Sequence, residues 1–381
     1  MRSRSTLVKR HINRHETSIP KEPTSEMSPL SDHHGIQSKW IATMIIAAIY
    51  ILSGATQPLL MTLVKNAGLG DKICQVYMLG YYLGPALVSF TLCSPNYNPP
   101  PSAMLIKASA IALIDIIAQA TNYTGATMAG PTIFAIIYSS VTVWTAVYSR
   151  ILLGRRLRFL QWIGILVVFG GLAITATNSV SVGPDVFQGA LLVVFGSSLH
   201  AMTYVLSEAI MVKESLSVQM NCAVQGIVAC GVFLSWQLLY TRVHFHDRLE
   251  IPMANAGTSI PKAIGILLSL SASNLVHALS FFYTLKHFPG GATSAGVMKS
   301  LQAVLVFVFS SIVYCGSIGG DEMCFSVVKL ISLLVVIGGV LLFTTAAGWN
   351  TNMSTSTSTS KPGSADRNGG YTQVGEVEEL L

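Results

Sequence analysis

The chain has 381 residues, of which 51% are hydrophobic and 10% are charged, and its formal net charge is +6. A water-soluble protein of this length would need a more charged surface, so the composition excludes an ordinary soluble fold. The charges lie between long apolar blocks, and we attribute the positive excess to membrane topology. Nothing else in the sequence favours a nucleic-acid partner, and we expect none.

Residues 1–39 are polar and basic, and they come before the first apolar block. A cleavable signal peptide would place a short charged region directly before its apolar core, which is not the pattern here. Lysine and arginine concentrate on the cytosolic side of membrane proteins. We therefore predict a disordered, basic cytosolic tail for residues 1–39.

Ten apolar blocks follow, each close to the length of about 20 residues that a helix needs to cross a bilayer. We predict an all-α polytopic membrane protein with ten transmembrane helices. The blocks are 40–64, 74–94, 103–121, 128–149, 159–177, 187–211, 218–240, 262–284, 292–314 and 325–347. Ten crossings return the C-terminus to the cytosol, and the lipid bilayer is the first expected partner.

The short loops support this orientation. The most basic one, RILLGRRLR at 150–158, joins the fourth and fifth blocks and falls on the cytosolic side. Lysine and arginine are enriched on that side. Residues 241–261 are the exception, because Arg242 and Arg248 fall on the opposite side, where two acidic residues accompany them.

Two short phrases recur in order along the chain. GATMAG at 125–130 matches GATSAG at 291–296 at five of six positions, and a glycine pair follows each phrase in the next block. We expect each phrase to open a helix, the fourth and the ninth, and we expect the glycines to permit close helix packing. The expected packing residues are Gly130, Gly296, Gly170, Gly171, Gly338 and Gly339.

The offset between these phrases predicts two repeats of five helices, at residues 40–177 and 187–347. Because five is odd, the second repeat enters the membrane in the opposite sense to the first. Inverted repeats of this kind are frequent in secondary transporters, whose substrate site lies near the middle of the bilayer between the halves. The sequence therefore predicts a transporter that works by alternating access.

The stretch at 130–176, GPTIFAIIYSSVTVWTAVYSRILLGRRLRFLQWIGILVVFGGLAITA, resembles the drug/metabolite transporter superfamily, in its EamA-like form. The similarity consists of a helix that ends in a Leu-Gly-Arg-Arg turn, a Gln-Trp motif that opens the next helix, and the glycine pair inside it. Residues 296–315, GVMKSLQAVLVFVFSSIVYC, are similar to the ninth helix of the nucleotide-sugar transporter branch, in solute carrier family 35.

The resemblance implies a fold of five plus five helices, with the fifth and tenth outermost and sometimes at a homodimer contact. It also implies that Lys299, near the start of the ninth helix, contacts a nucleotide sugar that is exchanged for a nucleoside monophosphate. It implies no cofactor.

Two formal charges lie well inside the predicted helices, Asp115 in the third and Lys299 in the ninth. An ionised side chain at the bilayer centre costs about 2.5–3.5 kcal/mol on insertion scales, so such residues face a cavity or a partner. We expect both to line a cavity. The alternatives are a structural ion pair between them, or a Lys299 side chain that extends to the cytosolic interface.

Uncharged polar residues recur at helical spacing in blocks 1, 3, 4, 6, 8 and 9, whereas blocks 5 and 10 have almost none inside. Helices that surround a wet cavity would show this distribution. The expected substrate-binding residues are Lys299, Gln302, His277, Ser273, Asn274, Tyr138, Thr142, Gln119 and Gln57, with Asp115 and His200 as coupling charges.

Two transport functions fit these residues. The first is a nucleotide-sugar-like antiport, since the Lys299 ammonium suits a phosphate. The second is proton-coupled transport of drugs, amino acids or organic cations in the vacuole or lysosome. Asp115 would repel phosphate, and His200 and His277 can titrate near neutral pH. Within the predicted helices we find no nucleophile–base set and no paired carboxylates, so we expect neither an enzyme nor a metal site.

Cys315 and Cys324 flank the predicted non-cytosolic loop between the last two helices. They are either a disulfide or two small apolar side chains.

Residues 351–381 are polar and of low complexity, which is typical of disorder. Their end, YTQVGEVEELL, carries a tyrosine-based signal (Tyr371, Val374) and an acidic dileucine signal (Glu376, Leu380, Leu381) of the kinds that vesicle-coat adaptors bind. We therefore expect an endomembrane location, in the lysosome, vacuole or endosome, or in the Golgi, with both termini in the cytosol.

Overall fold

The computed structural model describes residues 30–92, 99–154, 158–288, 291–316 and 324–357. These ranges are helical apart from short turns, and they contain no β-strand. All of the packing described below lies within one compact unit, Ala42–Tyr371.

The helices follow one another with short connections. They are α1 (Leu30–Asn66), α2 (Val76–Leu87, continued by a 3-10 turn at Val88–Leu92), α3 (Ser102–Ala129), α4 (Pro131–Tyr138), α5 (Val141–Leu153), α6 (Phe159–Val182), α7 (Pro184–Lys213), α8 (Val218–Trp236, continued by π-helical turns at Gln237–Thr241 and His246–Glu250), α9 (Ile251–Asn255), α10 (Ile260–His287), α11 (Ala292–Val313) and α12 (Val327–Thr357).

Seven helical stretches of the described residues are long and apolar enough to cross a bilayer. They are Ile41–Asn66, Ser102–Ala129, Pro131–Leu153, Pro184–Lys213, Val218–Thr241, Ile260–His287 and Ala292–Val313. Three further apolar helices are shorter: Val76–Leu92, Phe159–Ile174 and Val327–Phe343. The predicted all-α polytopic membrane protein is thus confirmed as a class, and the count of ten crossings stays a prediction.

The start of the fourth helix was expected at the phrase 125–130, and this expectation is wrong. These residues form the last turn of α3, and the chain breaks at Gly130, whose φ of +82° favours glycine. Proline lacks a backbone N–H and suits the first helical position, so α4 begins at Pro131. The second phrase does open a helix, because α11 begins at Ala292.

The helices α6 and α12 pack closely through glycines. A Cβ atom on Gly171 would lie 2.6 Å from Val336 Cγ2, and one on Gly339 would lie 2.9 Å from the carbonyl oxygen of Gly164. Gly170 and Gly338 face open space instead. One glycine of each pair therefore serves the contact between α6 and α12. Gly296 has a similar role elsewhere, since its Cβ would lie 2.8 Å from Thr142 Cα on α5.

The segment after α8 covers the loop between α1 and α2. Arg248 Nη1 lies 3.3 Å from Asp71 Oδ2, and Trp236 Nε1 donates a 2.8 Å hydrogen bond to the carbonyl of Ile73. Asp71 therefore offsets the positive charge of Arg248, one of the two arginines predicted on the non-cytosolic side. Between α11 and α12, a disulfide joins Cys315 and Cys324, whose Cα atoms are 4.4 Å apart.

Candidate functional site

Two small compartments lie side by side among the helices and share Gln57, Gln119 and Tyr138 as lining residues. Their volumes are about 40 and 20 Å³. A buried water needs roughly 10–15 Å³ on this scale, so the two compartments have space for a few waters but not for a metabolite. The helices are therefore closed around the site in this conformation. We call the two compartments together the central cavity.

The first charged centre of the central cavity is Asp115 on α3. Its Oδ1 lies 2.8 Å from Nδ1 of His200 on α7, and its Oδ2 accepts a 2.7 Å hydrogen bond from the hydroxyl of Tyr82 on α2. The Gln119 amide lies 3.4 Å from the other ring nitrogen of His200. Both carboxylate oxygens of Asp115 therefore have partners within the protein.

The second charged centre is Lys299 on α11, which is 4% exposed. Its Nζ lies 3.1 Å from Nε2 of His277 on α10, and His277 Nδ1 lies 3.1 Å from the hydroxyl of Ser53 on α1. With Lys299 protonated, Nζ only donates hydrogen bonds, which assigns Nε2 as the acceptor and Nδ1 as the nitrogen that carries the ring proton. His277 in this arrangement is neutral, with its Nδ1–H donated to Ser53.

Aromatic rings surround the Lys299 ammonium. Its Nζ lies 5.3 Å from the ring centroid of Tyr50 and 5.2 Å from that of Tyr138, within the range of cation–π attraction. Tyr138 also stacks on His200, at 5.8 Å between ring centroids, and so lies between the two charged centres. Within the described residues, no carboxylate lies within ion-pair distance of Nζ.

Both alternatives to cavity lining are contradicted by this geometry. Asp115 pairs with His200, so the structural ion pair between Asp115 and Lys299 does not form. Lys299 is buried and bonded to His277, so its side chain does not extend to an interface.

An amide cluster links the two compartments. Gln57 donates a 2.8 Å hydrogen bond to the side-chain oxygen of Asn274 and accepts one of 3.2 Å from Tyr123. Asn274 in turn donates to the carbonyl of Tyr81, at 2.8 Å. Helices from both proposed halves meet here, and their polar groups form hydrogen bonds with one another.

Nine of the expected site residues line the central cavity: Gln57, Asp115, Gln119, Tyr138, His200, Asn274, His277, Lys299 and Gln302. Ser273 and Thr142 do not. The Ser273 hydroxyl bonds that of Thr56 at 2.9 Å, and the Thr142 hydroxyl donates to the carbonyl of Ser139 at 3.3 Å. The expected sorting residues Tyr371, Val374, Glu376, Leu380 and Leu381 lie outside the described residues.

Sequence reasoning missed Glu208. It lies on α7, is 7% exposed, and its Oε2 accepts a 3.0 Å hydrogen bond from the backbone N–H of Ala292 at the start of α11. A carboxylate at a helix N-terminus stabilises the helix through its free N–H groups and its dipole. Glu208 thus fixes the start of the helix that carries Lys299. The available signal was a third formal charge inside an apolar block.

Within the part of the chain that the structure describes, no group of three or more His, Cys, Asp or Glu side chains could hold a metal ion. The two neighbouring histidines after α8 contact other groups of the protein: His246 lies 2.9 Å from Glu250, and Nδ1 of His244 lies 3.0 Å from the carbonyl of Tyr240.

Residues 39–177 match the EamA-like transporter family. Proteins named Solute carrier family 35 member F6 from Homo sapiens, Pongo abelii and Rattus norvegicus are 22% identical to this chain over 254, 254 and 258 residues. Each match covers 61% of this chain and 64% of the relative, slightly less than two thirds of its length.

One solved structure aligns with 79% of this chain and 95% of its own at 13% identity, with a TM-score of 0.46, a similarity too low to bear on the fold. The EamA-like match over the first half and the solute carrier family 35 relatives agree with the resemblance found in the residues. The chain is thus similar to the EamA-like transporter family over residues 39–177 and to members of solute carrier family 35.

Proposed function

We propose that the protein is a secondary active transporter of a small polar solute, which binds in the central cavity and crosses by alternating access. One observation carries this proposal: a buried ammonium, Lys299, lies in a closed cavity without a carboxylate partner among the described residues. Burying an uncompensated charge in a membrane protein is costly, and such residues mark substrate or ion pathways.

The helix contacts support the proposed inverted halves, α1–α6 and α7–α12. In the proposed halves, α2 corresponds to α8 and α3 corresponds to α10. The contact of α2 with α10 therefore has its counterpart in the contact of α8 with α3. The contacts α6–α12, α2–α8 and α4–α11 each join equivalent helices. On this proposal, all ten apolar helices cross the membrane.

The closed cavity means that transport requires helix movement. A cavity of about 40 Å³ has no space for a sugar or an amino acid. We propose that the described conformation is the occluded state, with solute-binding groups satisfied by one another. Opening on either side would separate α1 from α10 and α11, because the hydrogen bonds Ser53–His277 and Gln302–Tyr50 join them.

The first candidate solute is a nucleotide sugar, exchanged for a nucleoside monophosphate at Lys299. The family supports this candidate, and the Gln57, Asn274 and Gln302 amides offer groups for sugar hydroxyls. The second candidate is proton-coupled transport of a drug, amino acid or organic cation. Its supporting observation is the ion pair of Asp115 with His200, a carboxylate and a titratable ring in one cavity.

We further propose an endomembrane location with both termini in the cytosol, a homodimer through the outer face of α6 and α12, and vesicle-coat adaptors as partners of the C-terminal tail. The outward-facing Gly170 and Gly338 support the dimer face, because a Cβ at either position would meet no atom of the same protomer within 4 Å.

Transport into proteoliposomes tests the function. Wild type, Lys299→Ala and Lys262→Ala would be compared on a panel of nucleotide sugars, amino acids and amines, with and without a pH gradient. Lys262 is an exposed lysine on α10 and serves as the matched control. Nucleotide-sugar exchange against trapped monophosphate, lost only in Lys299→Ala, would establish the first candidate. Uptake of amines driven by the gradient would establish the second, and a panel that does not move would overturn transport of these classes.

A further inference from the structure

We infer that the central cavity binds a small organic monoanion together with one proton, the anion on Nζ of Lys299 and the proton on Nε2 of His277. This inference rests on the proposed transport function and names its solute class and coupling. It concerns the Lys299 end of the cavity, whereas the proton-coupled candidate above rests on Asp115 and His200.

The two charged centres differ in one respect that decides which end receives a charged solute. Asp115 has a titratable partner on one oxygen and a hydroxyl donor on the other, at 2.8 and 2.7 Å. Lys299 contacts only neutral groups: a ring nitrogen at 3.1 Å and the faces of Tyr50 and Tyr138. An ammonium has three donors, so Lys299 retains donors for an incoming anion.

A single negative charge is the best match for this site. Among the described residues that line the central cavity, Lys299 is the one lysine or arginine, and the Asp115 carboxylate is nearby. A pyrophosphate would bring two negative charges to one fixed cation. A carboxylate brings one charge and two acceptor atoms, which suits Nζ with the Gln302 amide three residues away on the same helix face.

The hydrogen bond between Lys299 and His277 links anion binding to protonation. While Nζ donates to Nε2, that nitrogen cannot hold a proton. An anion bound to the remaining donors of Nζ brings a negative charge beside the ring, and this charge offsets the second positive charge that a proton on Nε2 would create. Nζ then turns its third donor away from Nε2, which takes the proton. Each binding event thus favours the other, and the effect is reciprocal. The proton comes from the side on which the anion enters, and both leave on the opposite side.

The groups around His277 are consistent with this exchange. Ser53 on α1 holds Nδ1, so the ring keeps its orientation while Nε2 changes partner. Tyr50 stacks on the ring at 4.9 Å between centroids. The ionisable groups that face this part of the cavity are Tyr50 on α1, Tyr81 and Tyr82 on α2, Asp115 on α3, Tyr138 on α4, His200 and Tyr204 on α7 and Lys299 on α11.

The test follows solute and proton together. Proteoliposomes loaded with a pH-sensitive dye would receive radiolabelled glucuronate or lactate as monoanions, uridine monophosphate as a dianion and choline as a cation. We expect monoanion uptake with internal acidification, and an apparent affinity that rises by up to about tenfold per unit fall in pH, the limit for one linked proton.

His277→Gln provides the decisive variant, since its amide still contacts Nζ but takes no proton. Because His277 contacts Lys299, we expect monoanion uptake at a reduced rate, without acidification and without pH dependence. His287→Gln, the same change at an exposed position on α10, is the matched control and should resemble wild type. Lys299→Gln should abolish uptake, and Lys299→Arg, which keeps the charge, shows whether loss is due to charge or to misfolding.

Three results would overturn the inference: monoanion uptake without acidification in wild type, acidification that persists in His277→Gln, or movement of only the dianion or the cation. All three leave transport itself intact. If no member of this panel moves while a nucleotide sugar or an amine from the first panel does, the monoanion class is wrong and the proposed function stands. If no solute of either panel moves, the proposed function and this inference fail together.

Discussion

Tyr138 and Lys299 occupy the eighth position of α4 and α11, and the Lys299 ammonium lies 5.2 Å from the centroid of the Tyr138 ring. The two residues lie on helices of different proposed halves, and one is aromatic while the other is basic. The contact therefore joins the two proposed halves beside the central cavity, and it gives that cavity one basic wall and one aromatic wall.

This contact predicts different effects for two substitutions at Tyr138. Tyr138→Phe keeps the ring face toward Lys299, and Tyr138→Leu removes it. A cation–π contact contributes about 0.5–2 kcal/mol, so we expect the leucine variant to change apparent solute affinity by roughly 2- to 30-fold, and the phenylalanine variant to change it little. Uptake titrations measure both. Equal losses would assign the role of Tyr138 to its hydroxyl instead.

The ion pair of Asp115 with His200 predicts a coupled loss of stability. Asp115→Ala removes the carboxylate that contacts the His200 ring and the Tyr82 hydroxyl, and breaking a buried charged pair from one side costs about 3–5 kcal/mol. The double change Asp115→Ala with His200→Ala removes both polar partners and should cost less than the sum of the single changes Asp115→Ala and His200→Ala. Denaturant unfolding of each purified variant in detergent gives the free energies for this double-mutant cycle. Strictly additive effects would show that the two side chains do not interact.

How far the sequence predicts the site depends on what each residue contacts. The helical class and nine cavity residues follow from apolar block length and from polar spacing, because both are properties of single helices. Spacing gives the polar face of a helix but not its neighbour, so Ser273, next in sequence to Asn274, bonds Thr56 outside the cavity. The cap that Glu208 forms on α11 joins residues 84 positions apart, and no local pattern reports it.

The Glu208 cap predicts a graded response. Glu208→Gln keeps an oxygen that can accept from the Ala292 N–H. Glu208→Ala removes this acceptor and leaves the N–H at the start of α11 without it. Loss of a capping side chain costs about 0.5–2 kcal/mol. We expect the alanine variant to unfold at a lower denaturant concentration than the glutamine variant. Equal losses in both variants would show that the charge of Glu208 matters more than its hydrogen bond to Ala292, and the reverse order would contradict the cap.

The two adjacent glycines of α12 allow a test of helix packing, because Gly339 contacts α6 and Gly338, the control position, does not. Gly339→Val places methyl groups against Gly164 and Val168 on α6, where a Cβ alone already lies 2.8–2.9 Å from three atoms. Overpacking of this kind costs about 1–3 kcal/mol. Gly338→Val places the same group in open space and should leave monomer stability nearly unchanged. If Gly338→Val also converts a dimer to a monomer in detergent, the proposed dimer face gains support. Equal destabilisation by both variants would contradict the packing of α6 on α12.

The contact of Asp71 with Arg248 predicts that the folded protein loses stability in acid, where the segment after α8 packs on the loop between α1 and α2. Partial burial raises the pKa of the Asp71 carboxyl. Two contacts lower it: hydrogen bonds from the backbone N–H groups of Cys74 and Ile73, at 2.7 and 2.9 Å, and the positive charge of Arg248. The lowering effects are larger, so the pKa lies below the usual value of 3.8. A carboxyl whose pKa is depressed on folding stabilises the folded state above its unfolded pKa, and this contribution is lost as the pH falls through the lower, folded value. Asp71→Asn should therefore lower stability near neutral pH and flatten the dependence below about pH 4, where wild type loses the same contribution. Arg248→Gln removes only one of the lowering contacts and should give a smaller change of the same sign. Thermal unfolding of the three proteins from pH 3 to pH 7 measures this, and identical acid profiles for wild type and Asp71→Asn would contradict it.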